Sequence, residues 1–160
     1  MHTPPPPSVP TAHIGETING LLVPDQLHIT RGRGTGALAT AMQIYLVEFS
    51  PEHTIAVMPV AGNTQPLGLL HGGANCVLGE SLGSMSAYAH AAALSPDHYA
   101  VGIDINATHT ASATSGWVTG ECTAISLGRS VTVHEIVIRD AAGRRCSTVR
   151  ITNLIRKHSG

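Results

Sequence analysis

Aromatic residues are nearly missing from this chain of 160: one Trp, one Phe and three Tyr make up 3% of it. Single-stranded nucleic acid is held largely by base stacking, so that mode of binding lacks its platforms. Charge is scarce as well, at 12% with a formal net charge of −1, and eight of the nine basic residues are Arg scattered near the two ends. Counterion release from a phosphate backbone needs a concentrated basic patch, which argues against a nucleic-acid partner. No uncharged apolar run reaches the roughly 20 residues of a bilayer span; the nearest approach, Cys76 to Leu94, carries Glu80 and His90. The start, MHTPPPPSVP, has neither a basic n-region nor an apolar h-region, so no secretory leader is expected. Three widely spaced cysteines without a CxxC suit reduced thiols and a cytoplasmic location. Ten histidines form no HxH, HxxxH or HExxH and no Cys-His cluster, so no metal is expected.

What is present is enough apolar residue, 42%, for one buried core. Residues 1–12 are Pro-rich and read as a flexible, extended arm, leaving 13–160 as a single domain. RGRGTG (31–36) reads as a loop and Ala37 to Met42 as a short helix. QIYLVEFS (43–50) and HTIAVMPV (53–60) read as a strand pair. His71 to Leu94, rich in Ala, Leu, Ser and Met with Pro96 beyond it, predicts one long helix. Gly79 and Gly83, four residues apart, leave on it a smooth strip for close packing. The period then changes from 3.6 to 2. Val101, Ile103, Ile105 and Ala107 alternate with smaller or polar residues, which predicts a strand with one buried face. Three more strands follow in WVTGECTAISL, SVTVHEIVIRD and RCSTVRITNLI. Strands segregated around one helix indicate an α+β domain with an antiparallel sheet.

Between Glu52 and Asp97 the one acidic or basic residue is Glu80, in the middle of the most apolar helix. Burying an ionised carboxylate costs several kcal/mol unless it is paired. Glu80 is therefore either a solvent-facing helix residue or a candidate base or nucleophile. Upstream, LGLLHGGANC places His71, Gly72 and Gly73 at the helix start, where unpaired N–H groups and the helix dipole suit a developing oxyanion. Nine residues separate His71 from Glu80, about 13.5 Å along a helix and on opposite faces. Cooperation between them requires two helices lying antiparallel, hence a homodimer with two shared sites. Ser84 lies one turn after Glu80 on the same face.

Other signals compete. GESLG (79–83) matches the G-x-S-x-G elbow, which would make Ser81 the nucleophile of a serine hydrolase, but that motif needs a strand before it and a helix after it. RGRGTG suggests a phosphate loop only loosely, lacking the Lys-Ser/Thr ending. A non-catalytic acyl-CoA-binding dimer is a further alternative.

TQPLGLLHGGANCVLGESLGS, VGIDINATH and LGRSVTVHEIVIRDAAGRRCS together resemble the hotdog-fold acyl-CoA thioesterases of the phenylacetate-degradation and 4-hydroxybenzoyl-CoA type, over roughly residues 37–155. Within that family the chain resembles the bacterial 1,4-dihydroxy-2-naphthoyl-CoA thioesterases of menaquinone biosynthesis. The resemblance implies a long helix wrapped by an antiparallel sheet, paired into a homodimer with a continuous sheet and commonly a homotetramer. It implies hydrolysis of an aromatic acyl-CoA without a resident cofactor, CoA being part of the substrate. By resemblance the catalytic set falls on Gln65, His71, Gly72, Glu80 and Ser84. CoA contacts fall near His109, Ser112 and the Gly128-Arg129-Ser130 turn, although some relatives carry an Arg near Ala111 that this chain lacks.

Overall fold

A computed structural model describes residues 5–158. Its elements run in the order β1 (Thr17–Ile18), β2 (Leu21–Leu22), α1 (Gln26–Ile29), α2 (Ala37–Ala41), β3 (Tyr45–Phe49), β4 (His53–Pro59), α3 (Gly72–Leu94), β5 (His98–His109), β6 (Trp117–Leu127), β7 (Val131–Arg139) and β8 (Arg145–Lys157). β1 and β2 form a small ribbon, and the other six strands make one antiparallel sheet in the order β3-β4-β6-β7-β8-β5. The α+β reading holds, with α3 lying across one face of the sheet.

Small residues let helix and sheet approach closely. A Cβ on Gly79 would stand 2.6 Å from Val149 Cγ1, and one on Gly83 would collide with Ile151, so β8 occupies the strip that the two glycines leave. From the sheet side Gly120 of β6 yields in the same way to Leu78 and Leu82. Leu78, Leu82, Ile136, Val149 and Ile151 are fully buried in the resulting core. Burial of this kind contributes roughly 1.5–3 kcal/mol per large apolar side chain. His71 caps the helix through Gly73 N–H donating to its Nδ1 at 2.8 Å, and the helix ends at Leu94, just before Pro96.

The structure departs from two expectations and orders one segment to which the sequence reading assigned no element. The mobile arm of residues 1–12 is held from Ser8 onward: the Ser8 carbonyl accepts from the amides of Thr35 and Gly36, and its hydroxyl donates to Thr40 Oγ1. Residues 1–4 lie outside the described part. The segment between arm and RGRGTG, in which the sequence showed no element, is structured because Gln26 is fully buried. Its amide donates to the Leu46 carbonyl and accepts from the Leu46 N–H, pinning α1 to β3. Finally, the apolar face of β5 is not buried within the chain. Val101, Ile103 and Ile105 are 40, 57 and 38% exposed, because β5 is an edge strand paired on one side, to β8, with a bulge between Gly102 and Asp104.

Candidate active site

At the start of α3 three backbone donors find partners: Gly73 N–H reaches His71 Nδ1, and the Ala74 and Asn75 N–H groups reach the His71 carbonyl. The Gly72 N–H has no acceptor among the described residues. The loop before it is tied down by His71 N–H donating to Asn63 O, while the Asn63 amide donates to Met42 O and Pro59 O. A cavity of about 360 Å³, lined by Met42, Asn63, His71, Gly73 and Val77 among others, opens beside this helix end.

His109, at the end of β5, lies directly over Gly72. A Cβ there would stand 2.9 Å from His109 Nε2, so the position requires glycine unless the ring moves. His109 Nδ1 lies 2.9 Å from Ser147 Oγ, and Ser147 Oγ is 3.3 Å from Thr108 O. When the serine proton goes to that carbonyl, Ser147 Oγ accepts from His109 Nδ1–H, which fixes the ring with Nε2 turned toward Gly72.

Glu80 is half-buried in the third turn of α3, on the side facing β5. Its Oε1 accepts from Ser84 Oγ at 3.2 Å, and a Cβ on Gly102 would stand 2.6 Å from that oxygen. No donor among the described residues reaches Oε2. Ser84 Oγ is also 3.3 Å from Oδ1 of Asn153, a fully buried side chain of β8 whose Nδ2 has no partner among the described residues.

The chain therefore brings His71, Gly72 and His109 together at the helix start, and Glu80 with Ser84 further along. Gln65 sits in the preceding turn, where its Oε1 accepts from Leu67 N–H at 2.7 Å. Ser112 is exposed in the loop after β5; its carbonyl accepts from Arg144, whose Nε also pairs with Asp140 at 3.0 Å. An arginine thus does reach this loop, from the β7–β8 turn rather than from the loop itself. Gly128, Arg129 and Ser130 form the β6–β7 turn near the other end of α3, where His90 Nε2 lies 2.9 Å from Gly128 O. His90 is 18 residues beyond Gly72 on α3, about 27 Å along it, so one chain does not gather the five CoA positions into one place. Ser81 lies within α3, with helix on both sides of it, so the strand-turn-helix elbow is absent.

Asn153 and Gly102 escaped the sequence reading. Gly102 had a usable signal, since a glycine inside a strand often marks a close approach; Asn153 had none, because its partner is 69 residues away. The three thiols are free, and burial pushes the Cys122 thiol up to about 12, which keeps it protonated and inert. No helix among the described residues is long and apolar enough to cross a membrane.

Residues 67–147 match the family model described as the thioesterase superfamily. The 1,4-dihydroxy-2-naphthoyl-CoA hydrolase of Escherichia coli is 38% identical over 130 residues, covering 81% of this chain and 93% of that protein. The proofreading thioesterase EntH of Klebsiella pneumoniae is 42% identical over 117 residues, or 72% and 78% of the two chains. A crystal structure of a mutant of thioesterase PA1618 from Pseudomonas aeruginosa superposes with a TM-score of 0.74 at 34% identity, covering 84% of this chain and 96% of that one. With a single helix across an antiparallel sheet and these relatives, the chain belongs to the hotdog-fold thioesterase superfamily and is a thioester hydrolase.

Proposed function

We propose that the protein hydrolyses aromatic or hydroxyaromatic acyl-CoA thioesters, with 1,4-dihydroxy-2-naphthoyl-CoA as the best candidate, in the cytoplasm and at two sites shared across a homodimer. The observation that carries this reading is the pair of unspent groups, the Gly72 N–H and Glu80 Oε2, on one helix but about 12 Å apart along it. An antiparallel partner helix brings the Gly72 of one subunit to the Glu80 of the other. The exposed apolar edge of β5, beside Glu80, gives the partner a surface to pair with. Pairs of such dimers would form a homotetramer.

In this site the Gly72 amide polarises the thioester carbonyl and holds the oxyanion. Glu80 either attacks the carbonyl carbon, expelling CoA thiolate and leaving an acyl anhydride that water cleaves, or takes a proton from the attacking water and returns it to the departing sulfur. Both routes end in the carboxylic acid and free CoA and need no resident cofactor. Ser84 orients the carboxylate, and Asn153 orients Ser84. Gln65 and His71 position the thioester. CoA runs outward past His109 and Ser112, with the Gly128-Arg129-Ser130 turn as a further contact. The test is release of free thiol from a panel of acyl-CoAs, with aromatic acyl groups expected to turn over fastest and aliphatic ones slowly.

A further inference from the structure

Behind the carboxylate, two fully buried side chains carry polar atoms that the mechanism leaves unused. Asn153 Nδ2 and Thr132 Oγ1 have no hydrogen-bond partner among the described residues. The two residues are directly opposed across the β7–β8 pair. They share the face that α3 covers, because burial alternates along β7 with Thr132, His134, Ile136 and Ile138 inward. Opposed residues in an antiparallel pair hold their Cβ atoms about 4.5–5.5 Å apart, close enough for a threonine hydroxyl to turn to an asparagine carboxamide. The other buried hydroxyls are engaged: Ser86 with Thr54 at 2.7 Å, Ser147 with His109 at 2.9 Å and Thr30 with the Gln26 carbonyl at 2.6 Å. Among the described residues Thr132 has the one buried hydroxyl left without a partner.

Asn153 turns Oδ1 to Ser84 Oγ at 3.3 Å, while Ser84 also faces Glu80 Oε1 at 3.2 Å, so two acceptors compete for one proton. Turning the carboxamide over exchanges oxygen and nitrogen, which are nearly equal in size, and removes the competition. Nδ2 then donates to Ser84 Oγ, and the Ser84 proton goes to Glu80. Oδ1 takes the buried place beside Thr132, whose hydroxyl donates to it. Every buried polar atom of the set gains a partner, which is the ordinary condition of a protein interior. The chain from Thr132 through Asn153 and Ser84 runs in one direction and ends on the carboxylate. Resting on the reading of Glu80 as the reacting group, we propose that Thr132 is a positioning residue: it fixes the orientation of the Asn153 amide and so commits the Ser84 hydroxyl to Glu80.

The test measures kcat and KM for 2-naphthoyl-CoA in Thr132→Val and Thr132→Ser, each alone and combined with Asn153→Leu, and determines the wild-type hydrogen positions by neutron diffraction from perdeuterated protein. Thr132→Val keeps the shape and removes the donor, and should lower kcat about fivefold with KM unchanged, the order of one neutral hydrogen bond. Thr132→Ser keeps the donor and should retain most of the activity. In the Asn153→Leu background Thr132→Val should lower kcat no further, because the chain is already cut. Full activity in Thr132→Val, a serine variant as slow as the valine one, or a loss of the same size in both backgrounds overturns the proposal. Diffraction should show Asn153 deuterium directed at Ser84 and the Thr132 deuterium at Asn153; the opposite amide orientation overturns the proposal whatever the kinetics. If diffraction shows the chain and the wild type cleaves no thioester, the chain stands and the reading of Glu80 falls.

Discussion

Ser84 Oγ lies 3.2 Å from Glu80 Oε1 and 3.3 Å from Asn153 Oδ1, so a single hydroxyl proton faces two acceptors. Glu80 is the member of this set that can react. Glu80→Gln removes the carboxylate at almost constant volume and should lower kcat by at least about a thousandfold, with thermal stability and substrate binding nearly unchanged. Ser81→Ala, one residue away, should be mild. A Glu80→Gln enzyme with substantial turnover would dismiss the carboxylate from the chemistry.

The role of Asn153 can be separated from packing. Turning its amide by 180° would present Nδ2 to Ser84 Oγ and commit the Ser84 proton to Glu80. Asn153→Leu removes that option while keeping the volume and should reduce kcat by about tenfold with little change in KM. That is the order of one lost hydrogen bond between neutral groups. Asn153→Asp places a second carboxylate beside Glu80. Like charges sharing a site raise a carboxyl pKa, so the acidic limb of the kcat/KM profile should move to higher pH. A purely structural asparagine would alter stability and leave that limb in place.

Gly72 offers a test of the oxyanion donor in which backbone geometry helps. His71 is already extended, at φ −65° and ψ 133°, which is what a following proline demands, and proline is well tolerated in the first helical turn. Gly72→Pro therefore deletes the N–H without breaking the helix. Its added Cβ meets His109 Nε2, and Gly72→Ala, which adds the same carbon and keeps the N–H, is the control. Gly72→Pro should lose about 3 kcal/mol more transition-state stabilisation than Gly72→Ala, measured as kcat/KM. Equal effects of the two substitutions would leave only the His109 contact to explain them.

His53 gives a pH test remote from the site. Hydrogen bonds to Glu48 at 2.6 Å and Glu121 at 3.0 Å, in that order of effect, hold the imidazole above its usual pKa against a small opposing effect of burial. A raised folded-state pKa means that the clamp stabilises fully below the unfolded value of about 6.5. That stabilisation disappears as pH rises through the folded pKa. Wild type should exceed His53→Gln at pH 6 by about 0.2–1 kcal/mol, as expected of exposed ion pairs, and by almost nothing at pH 9. Denaturant melts at the two pH values, repeated in high salt, check this; a constant difference would mean that the clamp is not ionic.

Much of the fold was legible because the periodicities are strong and local. Trp117–Leu127 is a strand over the limits its alternation suggested, and α3 begins one residue after His71. Glu80 and the HGG segment stood out as anomalies against an apolar background. What failed to show depends on distant partners. Gln26 is polar and looks like loop chemistry until Leu46, 20 residues on, takes both ends of its amide. The alternation of β5 correctly marked a strand but not which apolar face it would bury, because a strand at a sheet edge and a strand inside it can carry the same pattern. Thioester hydrolysis itself rests on the relatives and the fold, whereas the roles of single residues rest on the geometry and on the experiments above.

The shared site yields a prediction that needs no assumption about substrate. Gly72 and Glu80 are eight residues apart on a continuous helix, about 12 Å along its axis, too far apart to meet at one carbonyl within a subunit. Glu80→Gln and Gly72→Pro should then complement each other. In a mixed dimer one site receives both lesions and the other receives neither. Unfolding and refolding an equal mixture makes half of the dimers mixed under random pairing, each with one intact site of two, so about a quarter of wild-type activity should return from two inactive parents. Distinguishable tags on the two variants establish that mixed dimers have formed. If they have formed and no activity returns, Gly72 and Glu80 do not serve one carbonyl across the interface, and the antiparallel pairing of the helices is wrong.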